Sequence, residues 1–213
     1  MDGLAGYLDS TLLAADATAT AMESLAREAI RLGCAAVCVN PIHVGRTAHV
    51  LSGTPVRVAS VAGFPLGASP VAAKIAECRF AMDEGATELD VVAPIWAAVS
   101  SEAAAFEDEV AAILEATRGA TRKLIVEIGL LDAAALELAA DILNRLRPEF
   151  AKTGTGYARP VSREDVAALR RILDPRIAIK AAGGITTRDQ AESLIQAGAT
   201  RIGTSRAAGI LGC

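Results

Sequence analysis

Two lysines, Lys152 and Lys180, end apolar runs in a chain that uses lysine sparingly: only Lys74, Lys123, Lys152 and Lys180 stand among its 21 basic residues. Where a bare positive charge suffices, this sequence has arginine. A lysine kept at the end of an apolar run therefore suggests a need for an amine that can lose its proton, which a guanidinium cannot do. Lys152 follows Glu149-Phe150-Ala151 and Lys180 follows Ile177-Ala178-Ile179. On adjacent strands both would point into one mouth. Two ammonium groups in a partly dry pocket repel, which lowers the pKa of one towards neutrality. The neutral amine can then attack a carbonyl to form an imine, and the iminium is an electron sink for breaking the adjacent carbon–carbon bond. A carboxylate such as Asp90 would shuttle protons or hold the second lysine. The plain alternative is structural, with the two lysines in salt bridges to Asp90 and Glu127.

A second group of residues suits an oxyanion. Lys180-Ala181-Ala182-Gly183-Gly184-Ile185-Thr186 is followed by Arg201-Ile202-Gly203-Thr204-Ser205-Arg206. Glycines let backbone N–H groups approach a phosphate, and Ser205 with a following helix start adds donors. The run Lys152-Thr153-Gly154-Thr155-Gly156 places two hydroxyls and two glycines beside the candidate nucleophile. It lacks the spacing of a nucleotide P-loop and reads as part of the same sugar-phosphate pocket.

The elements that must hold these residues follow one rhythm. Short apolar runs rich in Val and Ile end in Gly, Pro, Asp or Thr and lead into helix patterns. Candidate strands are Tyr7–Asp9, Ala35–Asn40, Val56–Ala62, Glu88–Ala93, Lys123–Ile128, Phe150–Thr153, Ile177–Lys180 and Arg201–Gly203. Their alternation with helices argues for a parallel sheet. Helix starts are read at Thr20 with Glu23, Ser69 with Pro70, Ser162 with Asp165, and Thr187 with Gln190; Gly33, Gly85 and Gly198 read as stops. Eight βα units of about 27 residues each fit a compact (β/α)₈ TIM barrel, an α/β fold forming a single domain over residues 1–213. An open doubly wound sheet is the alternative, but no Gly-rich dinucleotide turn follows the first strand. In a barrel, chemistry collects at the C-terminal strand ends, here Asp9, Cys38, Asn40, Asp90, Glu127, Lys152, Lys180 and Gly203 to Ser205. The loops after the seventh and eighth strands often bind phosphate, as the second group requires.

Composition narrows the partners. The chain has 213 residues, is 52% hydrophobic and carries a net charge of −4, so no basic field draws nucleic acid. No apolar stretch approaches the ~18 residues of a membrane span, and no leader pattern opens the chain. A soluble cytoplasmic protein is expected. Cys34, Cys38, Cys78 and Cys213 fall in no zinc-ligand spacing and read mainly as buried free thiols. His43 and His49, the only histidines, are six apart on what reads as one short helix, on roughly opposite faces. A His-based metal site is not expected.

Taken together, the motifs resemble the 2-deoxyribose-5-phosphate aldolase family nearly end to end. The resemblance rests on Leu8-Asp9-Ser10-Thr11-Leu12, Val37-Cys38-Val39-Asn40-Pro41, Gly63-Phe64-Pro65-Leu66-Gly67 and Glu88-Leu89-Asp90-Val91-Val92. It continues through Phe150 to Gly156, Lys180 to Ile185 and Arg201 to Ser205, seven stretches in order. It implies Lys152 as the Schiff-base lysine, Lys180 as the lysine that perturbs it, and Asp90 as the acid/base carboxylate working with a bound water. It implies that Asp9 and Cys38 line the substrate pocket, that Asp9 helps hold Lys180, and that phosphate lies on Gly183, Gly184, Gly203 and Ser205. The implied reaction is reversible cleavage of 2-deoxy-D-ribose 5-phosphate to glyceraldehyde 3-phosphate and acetaldehyde, without metal or organic cofactor, in a homodimer. Gly154 departs from the family's usual serine, Ile128 stands where a Glu-Thr-Gly run is common, and Arg206 replaces what is often serine. Trp96, the only tryptophan, reads first as a core or dimer contact and second as a wall of the substrate mouth.

Three other readings stay open at this level. A related Schiff-base aldolase would take another phosphorylated sugar. A sugar-phosphate isomerase or synthase would use the glycine cradle without an imine. A binding barrel without catalysis would leave Lys152 and Lys180 as costly buried amines.

Overall fold

Each of the eight apolar runs becomes a strand of one closed parallel barrel, in the sequence order β1 to β8. The strands are β1 Leu8–Leu12, β2 Ala36–Val39, β3 Arg57–Ala62, β4 Glu88–Val92, β5 Thr121–Ile125, β6 Phe150–Lys152, β7 Ala178–Ala182 and β8 Arg201–Thr204. The structure, a computed structural model, describes residues 3–213. Around the barrel lie α1 Ala19–Leu32, α2 Val44–Leu51, α3 Val71–Asp83, α4 Ile95–Val99, α5 Ala103–Ala116, α6 Ala133–Leu146, α7 Arg163–Ile172, α8 Arg188–Gln196 and α9 Ala207–Leu211. No helix among the described residues is long and apolar enough to cross a membrane.

Successive strand side chains point to opposite faces, so each strand serves two environments. Leu89 and Val91 of β4 join the main apolar layer between sheet and helices. Glu88 and Asp90 alternate with them and turn inward. Cα partners in a parallel ladder share a face, and the register pairs Asp9 with Ala36, Cys38 with Ala59, Val61 with Asp90, Asp90 with Lys123, and Lys152 with Lys180. The barrel interior is therefore divided. On the β2 and β3 side it holds the small apolar cluster Ala36, Cys38, Ala59 and Val61. On the side of β4 to β8 and β1 it holds charges.

Several local expectations need correction. The cap of α1 is Thr18, whose side chain accepts from Ala21 N at 3.2 Å, so the Thr20–Glu23 box is not formed. The α3 helix is preceded by Pro70 with no side-chain cap, and Ser69 does not serve as one. Ser162–Asp165 and Thr187–Gln190 are reciprocal capping boxes as read. Gly33 is the left-handed cap of α1, and Gly85 and Gly198 follow the caps of α3 and α8 with φ of 107° and 116°. The β1 strand starts one residue late, because Leu4–Tyr7 coil into a 3₁₀ turn. The β5 strand starts at Thr121 and stops at Ile125 rather than Ile128, because Glu127 takes a left-handed backbone (φ 46°, ψ 59°) that no strand continues. His43 lies in a 3₁₀ turn ahead of α2, so the two histidines do not share one regular helix. Cys34, Cys38 and Cys78 are buried free thiols, and Cys213 is exposed.

Candidate active site

The C-terminal mouth of the barrel opens a cavity of about 340 Å³. Its floor includes Lys152 from the end of β6 and Lys180 from β7, paired across the ladder. Thr155, Gly183, Gly184, Gly203 and Ser205 all stand on its wall, which brings the candidate phosphate and sugar residues together. Thr11 to Ala14 and Phe64 complete the opposite side. Gly183 has a φ of 112°, and a Cβ on Gly203 would sit 3.1 Å from Lys180 Cε, so both glycines keep the backbone close to the cavity.

Beneath the floor the inward positions form one ionic network. Lys152 Nζ donates to Asp90 Oδ2 at 2.8 Å, and Lys180 Nζ donates to that oxygen at 2.7 Å. Lys123 Nζ takes the other oxygen, Asp90 Oδ1, at 2.8 Å, and pairs with Glu88 at 2.7 Å. Lys180 also reaches Asp9 Oδ2 at 2.5 Å, while Arg201 Nη1 donates to Asp9 Oδ1 at 2.7 Å and to Glu88 Oε2 at 3.2 Å. No buried side-chain polar atom among the described residues lacks a partner. Both lysines thus do sit in ion pairs with Asp90. Glu127, however, pairs with neither; it accepts hydrogen bonds from Thr155.

Three carboxylates, Asp9, Glu88 and Asp90, face Lys123, Lys152, Lys180 and Arg201, and the exposed Arg57 also approaches Glu88 at 3.8 Å. Cations outnumber carboxylates, and the site favours loss of a proton. Burial lowers the Lys152 pKa most and the neighbouring Lys180 charge lowers it further; together they outweigh the attraction of Asp90, leaving the pKa below its ordinary 10.5. The leading cause is therefore desolvation, with ammonium repulsion second. Burial also opposes charge on Lys180, but Asp9 and Asp90 overcome it and hold its pKa above the ordinary value. Asp90 sits well below the usual carboxylate range: burial alone would raise it, and Lys123, Lys152 and Lys180 reverse that. Of the two amines on the cavity floor, Lys152 is thus the one more ready to be neutral.

Asp9, Asp90 and Cys38 do not stand on the cavity wall. They lie below it, fully buried, and Asp9 acts on the cavity through Lys180. Cys38 packs in the apolar half of the interior, and burial pushes its thiol up to about 11. Sequence reasoning passed over Lys123, Glu88, Arg201 and Phe64. Glu88 could have been found from its spacing of two from Asp90. The candidate strand Lys123–Ile128 sets Lys123 at its start, whereas two residues precede it in β5, which places it mid-barrel. Phe64 lines the same cavity with its ring centroid 5.7 Å from Lys152 Nζ. Lys74 breaks the rule that lysines mark reactive ends. Buried on α3, it donates to Val92 O at 2.9 Å and Glu109 at 2.6 Å, a purely structural use. Trp96 is half exposed on α4 and not on the cavity wall, so the core reading and the substrate-mouth reading both fail.

Residues 4–211, nearly the whole chain, match the family model described as DeoC/LacD family aldolase. The chain belongs to the DeoC/LacD aldolase family. Within the chain's relatives, the deoxyribose-phosphate aldolase of Rhodospirillum rubrum is 43% identical over 209 residues, covering 98% of this chain and 88% of its own. That of Thermosynechococcus vestitus is 43% identical over 204 residues, covering 95% and 93%. The tetrameric deoxyribose phosphate aldolase structure from Aeropyrum pernix superposes with a TM-score of 0.91 at 34% identity, covering 98% of this chain and 89% of that one. As a DeoC/LacD aldolase, the chain carries Lys152 at the end of β6 and Lys180 beside it in β7 of a TIM barrel.

Proposed function

We propose that this aldolase reversibly cleaves 2-deoxy-D-ribose 5-phosphate to D-glyceraldehyde 3-phosphate and acetaldehyde through an imine on Lys152. One observation carries the reading: Lys152 is the cavity-facing amine whose pKa is lowered, and it shares a carboxylate oxygen with Lys180. The names of the relatives from R. rubrum and T. vestitus support the substrate.

The neutral Lys152 amine attacks C1 of the open-chain aldehyde, and the carbonyl oxygen takes up a proton. Lys180 protonates the resulting hydroxyl, water leaves, and a protonated imine remains. The C3 hydroxyl then loses its proton, the C2–C3 bond breaks, and its electron pair moves into a C1–C2 enamine. Glyceraldehyde 3-phosphate is released. Protonation at C2 and addition of water to C1 free acetaldehyde and restore Lys152. Asp90 lies below the floor, so it exchanges protons with substrate through Lys180 or a pocket water, and its negative charge steadies the iminium. Phosphate rests on the backbone of Gly183, Gly184 and Gly203 and on the Ser205 hydroxyl, while Thr155 faces the sugar. Asp9 holds Lys180 charged, and Cys38 supports the floor.

No step calls for a metal or organic cofactor. We read the assembly as a homo-oligomer, by analogy with the tetrameric relative from A. pernix; light scattering tests that part. The buried free thiols suit a reducing cytoplasm.

The decisive experiment follows release of glyceraldehyde 3-phosphate from 2-deoxyribose 5-phosphate in EDTA, with borohydride trapping. Turnover, a trapped adduct on Lys152 and loss of both in Lys152→Ala are expected. Turnover in folded Lys152→Ala would overturn the mechanism. A folded protein that traps an adduct without turnover would point to another substrate, and absence of any adduct would favour isomerase chemistry.

A further inference from the structure

Glu127 belongs neither to the sheet nor to the ionic network. It is 4% exposed and holds a left-handed backbone that non-glycine residues rarely adopt. Its Oε2 accepts from the backbone N–H of Thr155 at 3.0 Å and also from the Thr155 hydroxyl. Its Oε1 lies 2.7 Å from where a Cβ on Gly154 would stand, so the absence of a side chain at Gly154 is what lets the carboxylate reach in. Thr155 lines the cavity, and its Oγ1 accepts from the Tyr157 N–H at 3.0 Å.

A threonine hydroxyl has one hydrogen and two lone pairs. In Thr155 the hydrogen is committed to Glu127, and one lone pair is committed to Tyr157. Only an acceptor site is left for a ligand. Such a hydroxyl accepts from a sugar O–H and cannot donate to a phosphate or carbonyl oxygen.

We propose that Glu127 is a positioning residue that fixes Thr155 as a hydrogen-bond acceptor, so that the site selects aldehydes bearing a hydroxyl beside the carbonyl. This rests on the aldolase reading above. In the synthetic direction the preferred acceptor then carries an α-hydroxyl, as glyceraldehyde 3-phosphate does, over 3-phosphooxypropanal, which lacks it.

The test measures kcat/KM for condensation of acetaldehyde with each acceptor and compares the ratio. Glu127→Leu fills a similar volume but offers no acceptor to Thr155, which frees the threonine hydrogen. The ratio is expected to fall about tenfold in Glu127→Leu and in Thr155→Val. It should fall in the same direction in Gly154→Ser, whose Cβ would displace the carboxylate. Borohydride trapping of acetaldehyde reports whether the Lys152 site is intact in each variant. An equal loss with both acceptors, leaving the ratio unchanged, would show a merely structural role and overturn the inference. A ratio lowered in Thr155→Val but not in Glu127→Leu or Gly154→Ser would overturn it too. Failure of the wild-type protein to condense acetaldehyde with either acceptor would instead overturn the aldolase reading on which it rests.

Discussion

Lys152 and Lys180 donate to the same carboxylate oxygen, Oδ2 of Asp90, at 2.8 and 2.7 Å. Their Cα atoms are partners across the β6–β7 ladder. Two amines on one oxygen are held together more closely than either could remain if both were charged and Asp90 were absent. The environment resolves the conflict asymmetrically, because Lys180 has a second carboxylate in Asp9 and Lys152 has none. Protonation therefore settles on Lys180.

Removing the second charge should shift the balance. In Lys180→Met, Lys152 loses a repelling neighbour and no longer shares Asp90 Oδ2, so its pKa rises. Turnover at neutral pH should fall at least a hundredfold. Borohydride trapping of acetaldehyde should require more alkaline pH than in the wild-type protein. A trapping profile that stays in place would show that burial alone controls the amine.

The pH profile of the wild-type protein follows from the same shifts. Lys152 is reactive when neutral and its pKa lies below 10.5, so kcat/KM should rise with pH through an acid limb below that value. That limb belongs to the coupled cluster rather than to one side chain. Stability has a separate acid dependence. Asp9 and Asp90 are lowered from 3.8, so their ion pairs contribute fully above that value and are lost as pH falls through the lowered pKa. Asp9→Asn should flatten the acid side of a melting-temperature profile.

Lys123 tests the difference between holding the site and reacting in it. It is fully buried and bridges Glu88 and Asp90 without reaching the cavity. Lys123→Met leaves two buried carboxylates short of a partner and should cost about 3 kcal/mol of stability. Denaturant titration measures this. Imine trapping on Lys152 should persist, with reduced kcat, because Asp90 is no longer held from the far side.

Gly203 offers a steric test. A Cβ there would press to 3.1 Å from Lys180 Cε and from Ala182 Cβ. Gly203→Ala should lower kcat about tenfold by displacing Lys180, with less than ~1 kcal/mol lost in a thermal melt because the neighbouring side chain can yield. Unchanged kinetics would mean that the position of Lys180 has more latitude than its two carboxylate contacts suggest.

The sequence by itself determined the eight-fold alternation, the barrel and the strands that carry Lys152, Lys180 and Asp90, although only Lys152 ends its strand: β4 runs on past Asp90 to Val92, and β7 past Lys180 to Ala182. These are local properties, set by apolar runs of strand length and the punctuation between them. Two capping boxes were legible for the same reason, since Ser162–Asp165 and Thr187–Gln190 need only four consecutive residues. What only the tertiary structure decided is which side chains share a dielectric environment and a partner. Glu88, Lys123 and Arg201 entered the network because barrel closure sets β8 beside β1 and brings inward positions of separate strands to one centre. Asp9 and Cys38 proved to lie under the cavity rather than on it, a matter of depth along the barrel axis. The same depth explains why Lys123 is structural while Lys152 meets the cavity, and Lys74 is structural because it sits on α3, outside the barrel interior: a pKa depends on what surrounds an amine in space, and spacing along the chain does not encode that.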